Sequence, residues 1–242
     1  MAEPPAPEPR IISYTRVVNL SLDIHPGMFL WPGDPPVEFE VAARLDAEGY
    51  YLRRFAMGEH SGTHVNAPSS FYPRGASIDT YPAESLVVAA VTIDLRDRVA
   101  DNPGYELTVA DLDGWEARNG RIKPETIVLL CTGWLAERGS TTENPGPKMR
   151  NALNFPGFGL GAARRLVNER DIAGLGIDTP GLEPGSHTGY SVNKLVLERP
   201  RIALENLTNL DQLPPTGATL VIGLLRLVGG SGSPASVLAL IP

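Results

Sequence analysis

Apolar and polar positions alternate along several stretches of the chain in the way that half-buried strands require. Residues 16–22, 37–44 and 50–57 show this alternation and are predicted as strands. Residues 87–95 and 126–132 are β-branched runs without strict alternation, which is typical of central strands buried on both faces. Further strands are predicted at 172–177, 202–204, 220–224 and 237–241. Strands are therefore expected from near the beginning of the chain to its end.

Helices are predicted between these strands. Thr108 is a suitable N-cap for a helix that stops at Asn119. A second helix is predicted over 160–169, and Ser191 is expected to cap a short third one that runs through Leu197 and is ended by Pro200. Because strands lie before, between and after the helices, the pattern favours one α/β domain, a mixed β-sheet with flanking helices, over an all-β sandwich.

The composition is that of a folded domain. The chain has 242 residues, of which 42% are hydrophobic and 20% are charged, and this permits a sizeable core. Gly 25 and Pro 23 predict a fold rich in turns and irregular loops. Residues 1–11 are rich in Pro, Glu and Ala and are expected to form a flexible tail, with residues 12–242 as one domain.

Charge and targeting features narrow the class of partner. The net charge of −7 argues against a nucleic-acid groove, because such grooves need clustered Lys and Arg. No apolar run reaches the roughly 18 residues of a transmembrane helix, and the first residues lack the basic and apolar regions of a secretory signal. A lone cysteine, Cys131, fits a reducing compartment. We therefore expect a cytoplasmic protein with a small-molecule substrate and with neither nucleic acid nor membrane as partner.

Two of the four histidines, His60 and His64, lie four residues apart in a Gly-rich segment that is predicted as a loop leaving a strand. A loop can bring two imidazoles onto one metal ion. The same spacing also suits histidines that only hydrogen-bond a tight turn. The spacing alone leaves both interpretations open.

The wider segment resembles the signature of the metal-dependent cyclase family, which includes bacterial kynurenine formamidases. That signature reads His-x-Gly-Thr-His-x-Asp-x-Pro-x-His, and this chain has His60-Ser-Gly-Thr-His64-Val-Asn66-Ala-Pro68-Ser-Ser70. Blocks similar to other parts of the family are found in the same order along the chain, at Trp31–Pro35, Thr132–Trp134, Gly176–Pro180, Glu205–Leu210 and Gly229–Pro234. The chain is therefore identified as a divergent member of the family.

This resemblance implies a swivelling β/β/α type of α/β fold, a homodimer or homotetramer, and a site for one or two divalent ions. It places His60 and His64 on metal ligands of the family and Glu205 on its acidic residue in the second half of the chain. All three are thus expected to take part in catalysis as well.

Three positions depart from the family pattern. Asn66 stands where the family has a metal-bridging Asp, Ser70 where it has the last His of the signature, and Asn193 where it has a second-half His. Asn66 lacks the charge that helps to hold a second cation, and neither Ser70 nor Asn193 can act as an imidazole base. The departures predict at most one ion, Zn or Mn, or none. Asn66 and Asn193 are retained as candidate catalytic residues, and Ser70 as a substrate contact.

Other polar and aromatic residues are candidates for the same site. His187 lies in a Gly/Ser loop before the Asn193 position and is either an alternative acid or base or a surface histidine. Trp31 is expected to wall a substrate pocket or to pack in the core. Asp178, which follows a predicted strand, is expected to orient a substrate or to cap a turn. Glu59 is expected to be structural or solvated.

Three functional hypotheses follow. The favoured one is a small-molecule cyclase or hydrolase that acts at a carbonyl of a lactone, amide or acyclic precursor in a specialised pathway, with at most one metal ion. The second is a cyclase, dehydratase or isomerase that works without metal, through positioning and hydrogen bonds in the same pocket. The third is a binding protein that has kept the fold and lost the chemistry.

Overall fold

The structure is a computed structural model that describes residues 11–134 and 154–242. The predicted tail, apart from Ile11, lies outside the described residues. The strands in the first half are β1 (Arg16–Asn19), β2 (Glu38–Ala43), β3 (Leu52–Ala56), β4 (His64–Asn66), β5 (Val87–Asp94), β6 (Glu106–Leu107) and β7 (Ile127–Cys131). The later strands are β8 (Gly157–Phe158), β9 (Gly174–Ile177), β10 (Ile202–Glu205), β11 (Ala218–Leu224) and β12 (Gly232–Ile241).

The helices are fewer than the strands in the described part of the chain. They are α1 (Leu45–Glu48), α2 (Arg96–Asp101), α3 (Val109–Asn119), α4 (Leu160–Glu169) and α5 (Ser191–Val196). Single turns of 3-10 helix occur at Pro68–Ser70, Ile78–Thr80, Ala83–Leu86 and Leu210–Gln212. None of the helices in the described residues is long and apolar enough to cross a membrane.

The main sheet closes on itself. Its strands follow the order β1-β12-β11-β5-β7-β9-β10-β4, and β4 also pairs with β12. The pairs β5–β7, β7–β9 and β9–β10 are parallel, whereas the pairs that involve β1, β4, β11 and β12 are antiparallel. The mixed sheet predicted from the sequence is confirmed, and its closure through β4 was not predicted.

The two faces of the central strands pack into two different hydrophobic clusters. On β7, Val128 and Leu130 pack with side chains of α3, α4 and α5, whereas Ile127, Leu129 and Cys131 face the interior enclosed by the sheet. All five residues of β7 are buried. This explains why the run showed no alternation, since both faces of a central strand are apolar.

Sequence pattern and structure agree best where the signal is local. Thr108 caps α3 as predicted, and it forms a capping box with Asp111. At α5 the prediction was one residue off, because Tyr190 is the N-cap and Ser191 is the first helical residue. Strand β12 begins at Gly232, five residues before the predicted start, because it first pairs with β4 and only then with β11.

Candidate active site

A pocket of about 240 Å³ lies where β4, the ends of β9 and β10, and the loop after β9 meet. Four of the predicted site residues come to it from the motif, namely His60, His64, Asn66 and Ser70. Four more come from distant parts of the chain, namely Trp31, His187, Asn193 and Glu205. The structure thus brings together all predicted site residues except Asp178.

Pairing of β4 with β10 places the first functional pair. The segment around His64 was predicted as a loop, but it forms a short strand in which His64 lies directly opposite Glu205. The prediction was wrong because three residues carry too little pattern to reveal a strand that is held by neighbours on both sides. Both side chains are buried, with 3% and 5% exposed.

The orientation of the His64 ring follows from the turn before it. Gly62 has a φ of +66°, a conformation that favours glycine, and a Cβ at this position would lie 2.9 Å from the Met28 side chain. This turn directs the Gly62 carbonyl oxygen to His64 Nδ1 at 2.9 Å. A carbonyl only accepts hydrogen bonds, so Nδ1 carries a proton and donates it. His64 Nε2 then faces Glu205 Oε2 at 3.2 Å.

The close contact of His64 Nε2 with Glu205 Oε2 requires a positive charge, either on one of the two side chains or on an ion between them. With Nδ1 protonated, Nε2 of a neutral imidazole is an acceptor, and a carboxylate oxygen is an acceptor as well. Two acceptors 3.2 Å apart are held together either by a second proton on His64 or by a cation that both of them ligate.

Glu205 is held as a carboxylate by its neighbours. Burial acts to raise the pKa of Glu205, but hydrogen bonds from His64, Asn193 and Asn66, together with the charge of His64, bring it below its usual value. Asn193 Nδ2 donates to Oε1 at 2.9 Å, and the Leu182 amide donates to the same oxygen at 3.2 Å. The carboxylate is therefore ionised and fixed in orientation.

Asn66 supports both halves of the site. Its side chain contributes to the pKa of both His60 and Glu205, opposing the fall of the first and adding to the fall of the second. An amide can donate to a carboxylate through its NH₂ group. An aspartate carboxylate at this position would be an acceptor only. The asparagine at position 66, which replaces the aspartate of the family pattern, therefore suits the neighbouring carboxylate of Glu205.

His60 is tied to a chain of hydrogen bonds that leads away from the pocket. Its Nε2 lies 2.9 Å from Ser231 Oγ, and Ser231 Oγ in turn donates to Glu59 Oε2 at 2.8 Å. Since the hydroxyl proton of Ser231 is used on Glu59, His60 Nε2 is the donor in its contact, and the lone pair of the neutral ring is on Nδ1. Burial, and then the charge of His64, lowers the pKa of His60.

Glu59 and Ser231 were not found by the sequence reasoning. Glu59 was expected to be structural or solvated, and Ser231 lies in a Gly/Ser segment with no recognisable chemistry. Glu59 accepts the backbone N–H of Ser231 at 2.8 Å as well as its hydroxyl, so the two residues lock together. The one signal that pointed to them is that Ser231 lies in a block of the family resemblance and Glu59 directly precedes another.

Glu183 is a further residue that the sequence did not reveal. Its Oε2 accepts Asn193 Nδ2 at 3.1 Å and the Asn193 backbone N–H at 3.3 Å. Burial, and next the charge of Glu205, raises the pKa of Glu183. Asn193, predicted as a stand-in for a histidine, thus connects two buried carboxylates.

Asp178, predicted as a substrate contact, lies outside the lining of the pocket. Its carboxylate accepts hydrogen bonds from Thr132 N, Thr132 Oγ1 and Gly133 N, the last at 2.8 Å. Burial raises the pKa of Asp178 to about 6, and these hydrogen bonds oppose the shift. Its role is to hold the loop after β7, which is a structural role rather than a substrate contact.

Aromatic rings form another side of the pocket. Trp31 lines it as predicted and contacts Phe155 edge to face, with ring centroids 6.3 Å apart, and Tyr190 at 6.4 Å. Phe71 lies 5.5 Å from Tyr190. His187 is exposed and lines the same pocket. The aromatic side suits a flat, apolar part of a ligand.

The chemistry of the donors fits a single divalent cation at His64 and Glu205. Neighbouring ligands with bonds of about 2.1 Å to one ion lie about 3 Å apart, and Nε2 and Oε2 are separated by 3.2 Å. Within residues 11–134 and 154–242, no group of three or more His, Cys, Asp or Glu side chains converges as ligands. Because its Nε2 is engaged by Ser231, a ligand role for His60 stays a prediction.

Comparison with known proteins places this geometry in a family. The family described as "Putative cyclase" matches residues 18–184, more than half of the chain. Isatin hydrolase of Roseibium aggregatum is 30% identical over 224 residues, which cover 86% of this chain and 82% of that protein. Kynurenine formamidase of Salinibacter ruber is 26% identical over 221 residues, which cover 90% of this chain and 94% of that protein.

Solved structures agree with these relatives. Isatin hydrolase A from Labrenzia aggregata, bound to benzyl benzoate, has a TM-score of 0.82 and 33% identity over 93% of each chain. A protein from Bacillus stearothermophilus, described as a predicted metal-dependent hydrolase, shares the fold at a TM-score of 0.70 and 24% identity over 93% of this chain and 97% of that one. The chain therefore belongs to the cyclase family and is an enzyme, a hydrolase or cyclase of that family.

Proposed function

We propose that the protein hydrolyses the carbonyl–nitrogen bond of a small, flat amide or lactam. The observation that carries this proposal is the buried His64–Glu205 pair at 3.2 Å in a pocket with an aromatic side. The volume of about 240 Å³ is below the roughly 300–1,000 Å³ of drug-sized ligand sites, so the substrate is small. The named relatives, an isatin hydrolase and a kynurenine formamidase, support an amide-like carbonyl.

Different residues of the pocket serve different steps of such a reaction. Positive charge at the His64–Glu205 pair stabilises the oxyanion that forms when water attacks the carbonyl. His60, whose lone pair on Nδ1 is set by Ser231, takes a proton from that water. His187 returns a proton to the leaving nitrogen, and Trp31 and Ser70 confine the substrate. A Zn²⁺ or Mn²⁺ ion held by His64 and Glu205 would supply Lewis-acid polarisation of the carbonyl oxygen.

Turnover of two compounds tests the proposal. Purified protein, with and without added Zn²⁺ or Mn²⁺, is incubated with isatin and with the N-formyl amide of kynurenine. We expect hydrolysis of at least one of them, and a loss of about 100-fold or more in Glu205→Gln. The exposed Glu198→Gln is the matched control and is expected to keep full activity. Absence of turnover of both compounds and of simple lactones by folded, metal-supplied protein would overturn the proposal.

A metal-independent cyclase, dehydratase or isomerase is the second candidate. Asn66 and Asn193 favour it, because both amides hydrogen-bond Glu205 and so satisfy this carboxylate without an ion. Activity that persists after complete chelation and in His60→Ala would support this candidate. Binding of small molecules without any turnover would leave the third candidate, a binding protein of the family.

We also propose that copies of the chain associate as a homodimer or homotetramer. The β2–β3 hairpin and its flanks expose large apolar side chains, with Leu45, Tyr51 and Phe55 each more than half exposed. Such a surface suits a protein interface. Size-exclusion chromatography with light scattering tests this, and Phe55→Glu is expected to shift the protein towards the monomer. A wild-type monomer at all concentrations contradicts it.

The proposed location is the cytoplasm. The free thiol of Cys131 is buried in the interior of the sheet, and burial raises its pKa, so it is kept as an unreactive thiol. This supports a reducing compartment.

A further inference from the structure

Two buried oxygen atoms beside the His64–Glu205 pair have no hydrogen-bond partner among the described residues. They are Glu183 Oε1 and Asn193 Oδ1. Glu183 is 4% exposed and Asn193 is 3% exposed, and both residues line the pocket. Leaving a buried polar atom unpaired is destabilising. Two such atoms on one wall of a pocket point to a ligand that pairs with them.

The orientation of the Asn193 amide is fixed by its partners. Nδ2 donates to Glu183 Oε2 at 3.1 Å and to Glu205 Oε1 at 2.9 Å, which uses both of its hydrogens. The amide cannot flip, because its oxygen would then face two carboxylates. Oδ1 is therefore held as an acceptor without a partner among the described residues.

The Glu183 carboxylate is fixed in the same way. Its Oε2 accepts two N–H groups of Asn193, one from the side chain and one from the backbone. Oε1, the other oxygen of this carboxylate, accepts neither of these N–H groups. The two side chains thus leave two oxygens without a hydrogen-bond partner among the described residues, with Glu205 on the other side of the same neutral amide.

We propose that Glu183 Oε1 and Asn193 Oδ1 form a subsite that receives an N–H donor of the substrate, the N–H of a cyclic amide or of an aniline-type nitrogen. This assignment rests on the proposed amide hydrolysis for the idea that the nitrogen is next to the reacting carbonyl. A hydrogen bond to buried oxygens that otherwise stay unpaired discriminates strongly against a ligand of the same shape without the donor. Glu183 and Asn193 are thus specificity-determining residues.

Binding of two matched probes tests the subsite without requiring turnover. Oxindole is a benzo-fused lactam with one N–H, and 2-indanone has the same shape with CH₂ in place of N–H. Affinities are measured by titration calorimetry on the wild type, Glu183→Gln and the exposed control Glu198→Gln. We expect the wild type and the control to bind oxindole about tenfold or more tightly than 2-indanone.

The Glu183→Gln variant is informative because its orientation is constrained. The two N–H groups of Asn193 require an oxygen at the Oε2 position, so the new NH₂ group lies at the Oε1 position. An acceptor becomes a donor there, and the preference for oxindole is expected to disappear. A thermal unfolding curve checks that the variant is folded, and the comparison of the two probes in the wild type stands independently of it.

Failure of this inference can be told apart from failure of the proposed function. Equal affinity of the wild type for both probes would overturn the subsite, even if isatin is hydrolysed. A preference for oxindole that depends on Glu183 would support the subsite, even if no amide is cleaved. Binding of Mn²⁺ that depends on Glu183 and displaces oxindole would overturn the N–H assignment in favour of a cation.

Discussion

His64 and Glu205 face each other across the antiparallel strands β4 and β10, with Nε2 3.2 Å from Oε2. The two residues are far apart in sequence, and the pairing of the strands brings their side chains together in the interior. Because Gly62 accepts the proton of Nδ1, the pair needs a proton or a cation to be stable. The site can therefore be probed by supplying or removing metal.

Metal content is the first prediction. Protein purified without a tag and incubated with Zn²⁺ or Mn²⁺ is expected to retain about one equivalent, since Nε2 and Oε2 present two strong donors to one ion. Elemental analysis of the wild type and of His64→Ala measures this. The bound metal is expected to be lost in His64→Ala and kept in Glu198→Gln. A wild type without metal after incubation contradicts the single-ion form and leaves the metal-independent candidate.

Replacement of Asn66 by aspartate is expected to make the protein dependent on metal. In Asn66→Asp the donor to Glu205 is lost and a second carboxylate lies beside it. In the presence of a chelator, Asn66→Asp should be less stable than the wild type by about 1–3 kcal/mol. Added Mn²⁺ should stabilise the variant more than the wild type. Thermal unfolding with and without Mn²⁺ measures both effects.

A matched control and an additional change sharpen that experiment. Asn209→Asp, at a partly exposed asparagine outside the pocket lining, should show no metal response. Adding Ser70→His to Asn66→Asp should strengthen the response to metal further, because it supplies another imidazole. No gain in metal affinity in the double variant would show that these positions do not belong to the ligand set.

Glu59 is predicted to act on the reaction through Ser231 and His60. Glu59→Gln weakens the acceptor of the Ser231 hydroxyl, so the tautomer of His60 is no longer fixed. We expect kcat to fall about tenfold with KM nearly unchanged. Ser231→Ala should lower kcat by a similar factor, and the double variant should lower kcat no further than either single variant. Effects that multiply in the double variant would separate Glu59 from His60.

A structural ion pair gives a prediction about stability and pH. The hydrogen bonds of Arg170 lower the pKa of Glu116 from 4.5 to about 2, and Arg170 is 4% exposed. At about 1.4 kcal/mol per pKa unit, the ionised carboxylate of Glu116 with all its partners, Arg170 first and then the Ile122 amide and Arg165, contributes about 3 kcal/mol. Because the pKa in the folded state is lowered, the contribution is present above pH 4.5 and is lost as the pH falls towards 2.

Urea unfolding of Glu116→Gln checks this value. The variant should be about 3 kcal/mol less stable than the wild type at pH 7, and the difference should shrink below pH 4.5. Glu169→Gln is the matched control, since Glu169 contacts the same arginine but is 60% exposed. It should change stability by less than about 1 kcal/mol. An equal loss in both variants would contradict the assignment to Glu116.

Sequence by itself determined the parts of this protein whose signal is local. The five buried residues of β7 and the capping box of α3 are encoded by neighbouring residues, and both were predicted. His60, His64 and Asn66 lie within one motif, so their common location was expected. Glu205 and Asn193 were assigned through the order of the family's blocks.

Tertiary structure decided what depends on contacts between distant segments. Closure of the sheet through β4 brings Ser231 to His60, 171 positions away, and this contact sets the tautomer of that ring. The loop after β9 carries Glu183 to Asn193 and leaves Asp178 outside the pocket, on Thr132. A side chain's hydrogen-bond partners are fixed by strand pairing and loop path, and neither has a periodic signature along the chain.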